Sequence, residues 1–293
     1  MGKNRVENRV ENSVSIHLKN YPGWAIFSLA VNGLLVLAIA WLLLREYHLS
    51  MSSSVSSSTA TAHLAEPKPK AKPNSKLGAR HKLNYQQWVE LLAHEAQAVS
   101  KQQPENLTIL AGDSLSLWFP PELLPPETTW LNQGISGETS AGLLNRLELL
   151  DNTDPNVIFV MIGINDLIQG VAGETILANQ QLTIRHLRQA HPQAKVVVQS
   201  ILPHSAENAT WEGRERLLSI PNNHIQEINQ HLKEIAQAEG AIYLELYPLF
   251  ADTDGNLKTE LSTDGLHLNQ QGYQVWSYAL QVLNQVLVDS EPL

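Results

Sequence analysis

Apolar residues fall along this chain in two different patterns. Residues 24–44 run without a single charge, interrupted only by Ser28 and the pair Asn32-Gly33, which is long enough to cross a hydrocarbon core of about 30 Å. From residue 84 onward the apolar positions come in short blocks. Trp88, Leu91, Leu92, Ala96 and Val99 recur at helical spacing within 85–101, and helices are likewise expected over 140–150, 176–189, 222–238 and 270–288. Between them lie apolar runs of strand length at 107–111, 157–162, 195–199 and 241–244, with a further strand expected near 129–132. Nearly all-apolar strands alternating with amphipathic helices predict a parallel sheet covered on both sides. The expected fold is therefore α/β, a three-layer α/β/α sandwich with a parallel, flavodoxin-like sheet, in one domain over residues 84–293.

The first part of the chain is organised differently. Residues 1–23 read as a polar tail, 24–44 as a transmembrane signal anchor, and 45–83 as a linker, Ser/Thr/Ala-rich at first and then alternating Lys with Pro from Lys68 to Pro73. A cleaved signal peptide is the competing reading of 24–44. The run exceeds a usual h-region, however, and no small-x-small cleavage site follows it closely. Lys3, Arg5, Arg9 and Lys19 precede the span and Arg45 alone lies close behind it, which predicts a cytoplasmic N-terminus and a periplasmic or otherwise extracytoplasmic domain. The more distant cations from Lys68 to Lys82 fall on the outer side, where they weigh less in the rule.

Charge sharpens the division. Residues 1–83 carry 11 Lys and Arg against 4 Asp and Glu, and residues 84–293 carry 9 against 25, a net +7 and −16 within a total of −9. The acidic domain lacks the clustered cations that neutralise phosphates, so nucleic acid is not an expected partner. The absence of cysteine excludes disulfides, thiolate metal sites and a cysteine nucleophile.

Candidate chemistry sits at the strand ends, where active sites of open parallel sheets form. Gly112-Asp113-Ser114-Leu115 directly follows the first expected strand. A serine hydroxyl is a weak nucleophile until a base takes its proton. Asp264-Gly265-Leu266-His267 offers that base, with a carboxylate close enough to hold the imidazole in one tautomer while its other nitrogen faces Ser114. Oxyanion donors are available from the backbone at Gly137, within the segment from Asn132 to Ser140, and from the side-chain amide of Asn165 in Gly163-Ile164-Asn165-Asp166. Strand ends of a parallel sheet share one edge, so Ser114, Gly137 and Asn165 can converge although far apart in sequence. Any one of these motifs alone reads as an ordinary turn. Their conjunction, in order, points to acyl transfer.

The order Gly-Asp-Ser-Leu, Ser-Gly, Gly-x-Asn-Asp, Asp-x-x-His resembles the SGNH/GDSL hydrolase superfamily over about residues 105–288. Leu202-Pro203 after a strand and the run from His267 to Tyr273 are most similar to its branch of lysophospholipase-like and platelet-activating-factor acetylhydrolase-like esterases. The resemblance implies Ser114 as nucleophile, His267 as base, Asp264 as its orienter, and an oxyanion hole made by the Ser114 N–H, the Gly137 N–H and the Asn165 amide. It implies no metal and no organic cofactor. The expected activity is that of a membrane-anchored serine esterase cleaving carboxylic esters through an acyl-enzyme. Its substrate would be a small-molecule, lipid or glycan ester, such as a lysophospholipid or an O-acetyl group. Two alternatives stay open: an envelope polysaccharide O-acyltransferase using the same triad, and a non-catalytic envelope binding module.

Other motifs carry less. Asp252-Thr-Asp254-Gly255-Asn256 begins like a calcium loop, but its glycine is misplaced and Thr263 stands where the bidentate glutamate belongs, so a polar turn is expected. Asp113 and Asp166 are expected to hold loops by hydrogen bonds, and His204 to be a candidate cleft contact. The apolar, proline-rich stretch 118–126 is expected either to wall an acyl site or to pack on the sheet.

Overall fold

The computed structural model describes residues 83–289. Five strands, β1 (Leu107–Gly112), β2 (Thr129–Gly134), β3 (Val157–Met161), β4 (Lys195–Gln199) and β5 (Ile242–Leu244), form a parallel sheet in the order β2-β1-β3-β4-β5. Ile109 pairs with Leu131 on one side and Ile158 on the other, Phe159 with Val197, and Val198 with Tyr243. This is the flavodoxin-like order. Its progression reverses between β1 and β3, and that switch point opens a crevice beyond the carboxyl ends of the strands.

Alternation along the strands feeds two cores. Leu110, Phe159, Met161, Val197 and Leu244 face one side, where Tyr273, Trp276, Ala279, Leu280 and Leu283 of the last helix cover them. Ile109, Ala111, Ile158, Val160, Val196 and Val198 face the other side. There they meet Ala96, Ile184 and Leu187, Leu232 and Ala236, which lie respectively on α1 (Tyr85–Gln102), α5 (Gly173–Ala190) and α7 (Asn222–Ala238). Trp276, Phe159 and Phe250 are fully buried. Burying a side chain of this kind contributes about 1.5–3 kcal/mol, so these layers dominate the stability of the fold. The amphipathic period specifies the long helices, and local chemistry starts the first one: Asn84 and Gln87 form a reciprocal capping box at α1.

The remaining helices are α2 (Ser114–Leu117), α3 (Ser140–Leu144), α4 (Ile164–Ile168), α6 (Arg214–Leu218), α8 (Tyr247–Phe250) and α9 (Gln270–Asp289). One expectation is corrected. The helix expected over 140–150 breaks after Leu144, and a 3-10 turn at Leu147–Leu150 follows. Arg146 leaves helical geometry (φ −120°, ψ 9°) because its guanidinium turns inward to Glu138 and to the Gln133 carbonyl. The tail, the proposed anchor at 24–44 and almost all of the linker lie outside the described residues. Among the described residues no helix is long and apolar enough to cross a membrane.

Candidate active site

β1 ends on Gly112 because nothing larger fits: a Cβ there would lie 2.2 Å from the Met161 carbonyl oxygen of β3. The chain then turns directly into α2, whose first residue is Ser114. Asp113 caps this short helix, its Oδ1 accepting the Leu115 N–H at 3.0 Å. The Tyr273 hydroxyl donates to the Leu115 carbonyl at 3.0 Å and ties the turn to α9. Ser114 is thus held rigidly at the switch point, 6% exposed.

The imidazole arrives from the loop before α9. His267 Nδ1 lies 2.8 Å from Asp264 Oδ2, and His267 Nε2 lies 3.2 Å from Ser114 Oγ, across 153 residues of sequence. The second distance is at the loose end of the hydrogen-bond range, as is common in resting sites. Asp264 Oδ1 accepts the N–H groups of Leu266 and His267 at 3.0 and 2.8 Å. Ser262 Oγ–H donates to the His267 carbonyl, and the same oxygen accepts the Gly265 N–H, each at 2.7 Å. From outside, Thr210 and Trp211 donate their N–H groups to the Asp264 carbonyl at 2.8 and 2.9 Å. Burial pushes the Asp264 carboxyl up, but the His267 ring and the two backbone donors outweigh it and hold the group below its ordinary value. A carboxylate kept charged against Nδ1 fixes that nitrogen as the donor and leaves the Nε2 lone pair for Ser114.

The third component lies after β2 and β3. Gly137 has φ +77°, and a Cβ there would meet nothing within 4 Å, so the left-handed backbone is what calls for glycine. Asn165, in the first turn of α4, donates from Nδ2 to the Glu138 carbonyl at 3.0 Å. One amide proton is spent on fixing the Gly137 loop, and the other is left for a ligand. Asp166 completes the clamp, accepting the Ser140 N–H at 2.7 Å and the Ser140 hydroxyl at 2.6 Å. Beneath the loop Glu138 is buried against Arg146: Nε donates to Oε1 at 2.8 Å, and Nη2 to Oε2 and, at 2.6 Å, to the Gln133 carbonyl. Burial pushes the Glu138 carboxyl up and the Arg146 hydrogen bonds pull it back. The structure therefore brings Ser114, Gly137, Asn165, Asp264 and His267 to one edge of the sheet. Sequence reasoning missed the Glu138–Arg146 pair, whose eight-residue spacing carries no local signal.

Nearby residues take defined roles. Asp113 is 1% exposed, its Oδ2 makes no hydrogen bond, and it lines a cavity of about 10 Å³ with Leu115, Met161, Ile164, Ile201 and Leu266. Burial pushes its carboxyl up to about 7, opposed by the Leu115 N–H and reinforced by the carboxylates of Glu138 and Asp166. His204 does not serve as a cleft contact: it is 2% exposed. Its Nδ1 accepts the Ala206 N–H at 3.0 Å and its Nε2–H donates to the Ile220 carbonyl at 2.7 Å, bracing the loop that supports Asp264. Asp252 Oδ1 accepts the N–H groups of Asp254 and Asn256 at 2.9 Å, the polar turn expected there. The stretch after Ser114 divides by residue: Phe119 packs in the core, and Trp118 lies against the His267 ring.

Comparison with known proteins agrees with this fold. Human "Platelet-activating factor acetylhydrolase IB subunit alpha1" is 27% identical over 210 residues, covering 67% of this chain and 82% of its own. A solved Streptococcus pneumonia structure named for platelet activating factor is 28% identical with a TM-score of 0.58, covering 66% of this chain and 90% of that one. A GDSL-like lipase from Bacteroides thetaiotaomicron VPI-5482 shares the fold at 20% identity and a TM-score of 0.58, over 69% of this chain and 98% of its own. Residues 111–275 match the model of the GDSL-like Lipase/Acylhydrolase family, and with the segments that carry Ser114, Gly137, Asn165, Asp264 and His267 all inside that match, the chain belongs to this family of ester-cleaving enzymes.

Proposed function

We propose that this protein is a membrane-anchored serine esterase whose active site faces away from the cytoplasm. One observation carries the catalytic part: the continuous line Asp264 Oδ2, His267 Nδ1, His267 Nε2, Ser114 Oγ, with spacings of 2.8 and 3.2 Å, at the switch point of the sheet. In this reading Ser114 Oγ attacks the ester carbonyl carbon while its proton passes to His267 Nε2, and the carbonyl electron pair moves onto oxygen. The N–H groups of Ser114 and Gly137 and the free amide proton of Asn165 receive that oxyanion, and loss of one such donor typically costs about 10²–10³ in rate. The imidazolium next gives its proton to the leaving oxygen as the C–O bond breaks. Water then attacks the acyl-enzyme, with His267 again as base.

The uncharged run at 24–44 and the cations ahead of it support the anchor and its orientation. Similarity to an acetylhydrolase subunit supports a short acyl group, such as an acetyl ester of a lipid or a glycan, as the substrate. The test uses the full-length chain in detergent with p-nitrophenyl acetate and a longer-chain ester. Ser114→Ala is expected to abolish turnover of both, and a fluorophosphonate probe to label Ser114 and no other residue. Hydrolysis persisting at the unmutated rate in Ser114→Ala overturns the assignment of the nucleophile.

A further inference from the structure

The rings of Trp118 and His267 lie 4.4 Å apart between centroids, with their planes inclined at 42°. Trp118 caps the nucleophile helix at its C-terminus and donates its N–H to the Ser114 carbonyl at 3.0 Å. The next residue, Phe119, is buried against Tyr273 and Trp276 with ring centroids at 5.1 and 5.0 Å. The backbone on either side of Trp118 is therefore pinned, and the indole is turned out of the core onto the imidazole. It stays 38% exposed, and among the described residues only Tyr85 and Leu182 are other large apolar side chains so open to solvent.

An indole face is the strongest aromatic partner a cation can have. In the mechanism above His267 is a cation only while it holds the proton taken from Ser114, which is when the transition states of acylation and deacylation are crossed. Asp264 faces the ring through Nδ1 on its own loop. Behind Ser114 the carboxyls of Glu138 and Asp166, from the segments that follow β2 and β3, act on that of Asp113 at the end of β1. The geometry points to Trp118 as a positioning residue that holds the His267 ring toward Ser114 and stabilises its imidazolium through the indole face. This rests on the serine esterase reading, in which His267 carries the proton in both half-reactions. The indole adds no bond-making step. It lowers the energy of the charged ring that the proton transfers create.

The experiment compares Trp118→Leu, which keeps apolar bulk without a π face, with Trp118→Phe, which keeps a face. Both are made in the full-length chain in detergent and assayed on p-nitrophenyl acetate across pH, with thermal melts by circular dichroism. Trp118→Leu is expected to lower kcat by about two- to five-fold with KM nearly unchanged. Its acid limb of kcat/KM should move to lower pH by about half a unit, because the protonated ring loses its partner in the resting enzyme as well. Trp118→Phe is expected to stay within about twofold of the native enzyme and keeps the test open should the leucine variant fold poorly. A rise in KM with kcat and the acid limb unmoved would make Trp118 a substrate wall and overturn the inference. An acid limb moved to higher pH would also overturn it, because the ring would then act only by excluding water. Full activity in Ser114→Ala overturns both this inference and the esterase reading. An inactive Ser114→Ala beside a Trp118→Leu with native kcat and acid limb overturns this one alone.

Discussion

Asp113 and Asp264 stand beside Ser114 and His267, and their surroundings drive them in opposite directions. Asp264 spends both oxygens on donors and is held charged despite partial burial. Its contribution to stability is present above the ordinary carboxylate range and is lost as pH falls through its lowered value. Asp113 satisfies one oxygen, leaves the other without a partner, and is pushed up to about 7. The sign is reversed for it. A carboxyl whose value is raised on folding is most favourable while protonated, so stability is full below the ordinary carboxylate range and declines as pH rises toward about 7. Asp113→Asn keeps the acceptor for the Leu115 N–H and cannot ionise. Its melting temperature relative to the native protein should therefore rise progressively between about pH 4 and about pH 8. Parallel melting curves across that range would remove Asp113 as the source of the pH dependence.

At the scale of elements, the Gly137 side of the site depends on a segment that is not regular structure for most of its length. Between β2 and α3 the chain is held by Asn165 and Asp166 from α4 and by Arg146 from beyond α3. Arg146→Met leaves Glu138 buried without its partner and should cost about 3–5 kcal/mol in urea unfolding, whereas Glu138→Leu combined with Arg146→Met should recover much of that loss. A double variant no more stable than the single one would mean that the pair contributes specific geometry beyond its charge balance. The same segment marks what the sequence could and could not disclose. Gly137 and Asn165 were legible because short motifs at strand ends restrict where they can sit, and the five strands because apolar runs of that length admit few other readings. The short helices α4, α6 and α8 were not legible, since four or five residues hold too few turns to display a period. The pattern around Arg146 is that of a longer helix, and the contact that pulls the residue out comes from a loop packed against it rather than from its own neighbours.

At the scale of the whole molecule, a basic N-terminal part of net +7 is joined to an acidic domain of net −16. The proposed topology predicts that alkaline phosphatase fused to the C-terminus is enzymatically active in bacterial cells, and that deleting residues 1–44 moves the protein from the membrane to the soluble fraction. An inactive fusion with a stable, membrane-bound product would reverse the assigned orientation. In the proposed topology, the point where the chain enters the domain sets how that domain hangs. Tyr85, two residues into the described structure, places its hydroxyl 3.3 Å from Glu138 and 3.4 Å from the Gly142 carbonyl, beside the segment that carries Gly137. The composition of residues 45–83 predicts a flexible spacer, and a chain of roughly 40 such residues has a typical span of about 35 Å. In the proposed topology, attachment on the Gly137 side of the domain would turn the opening toward the bilayer, so that esters lying in or just above the membrane would be met before those farther out.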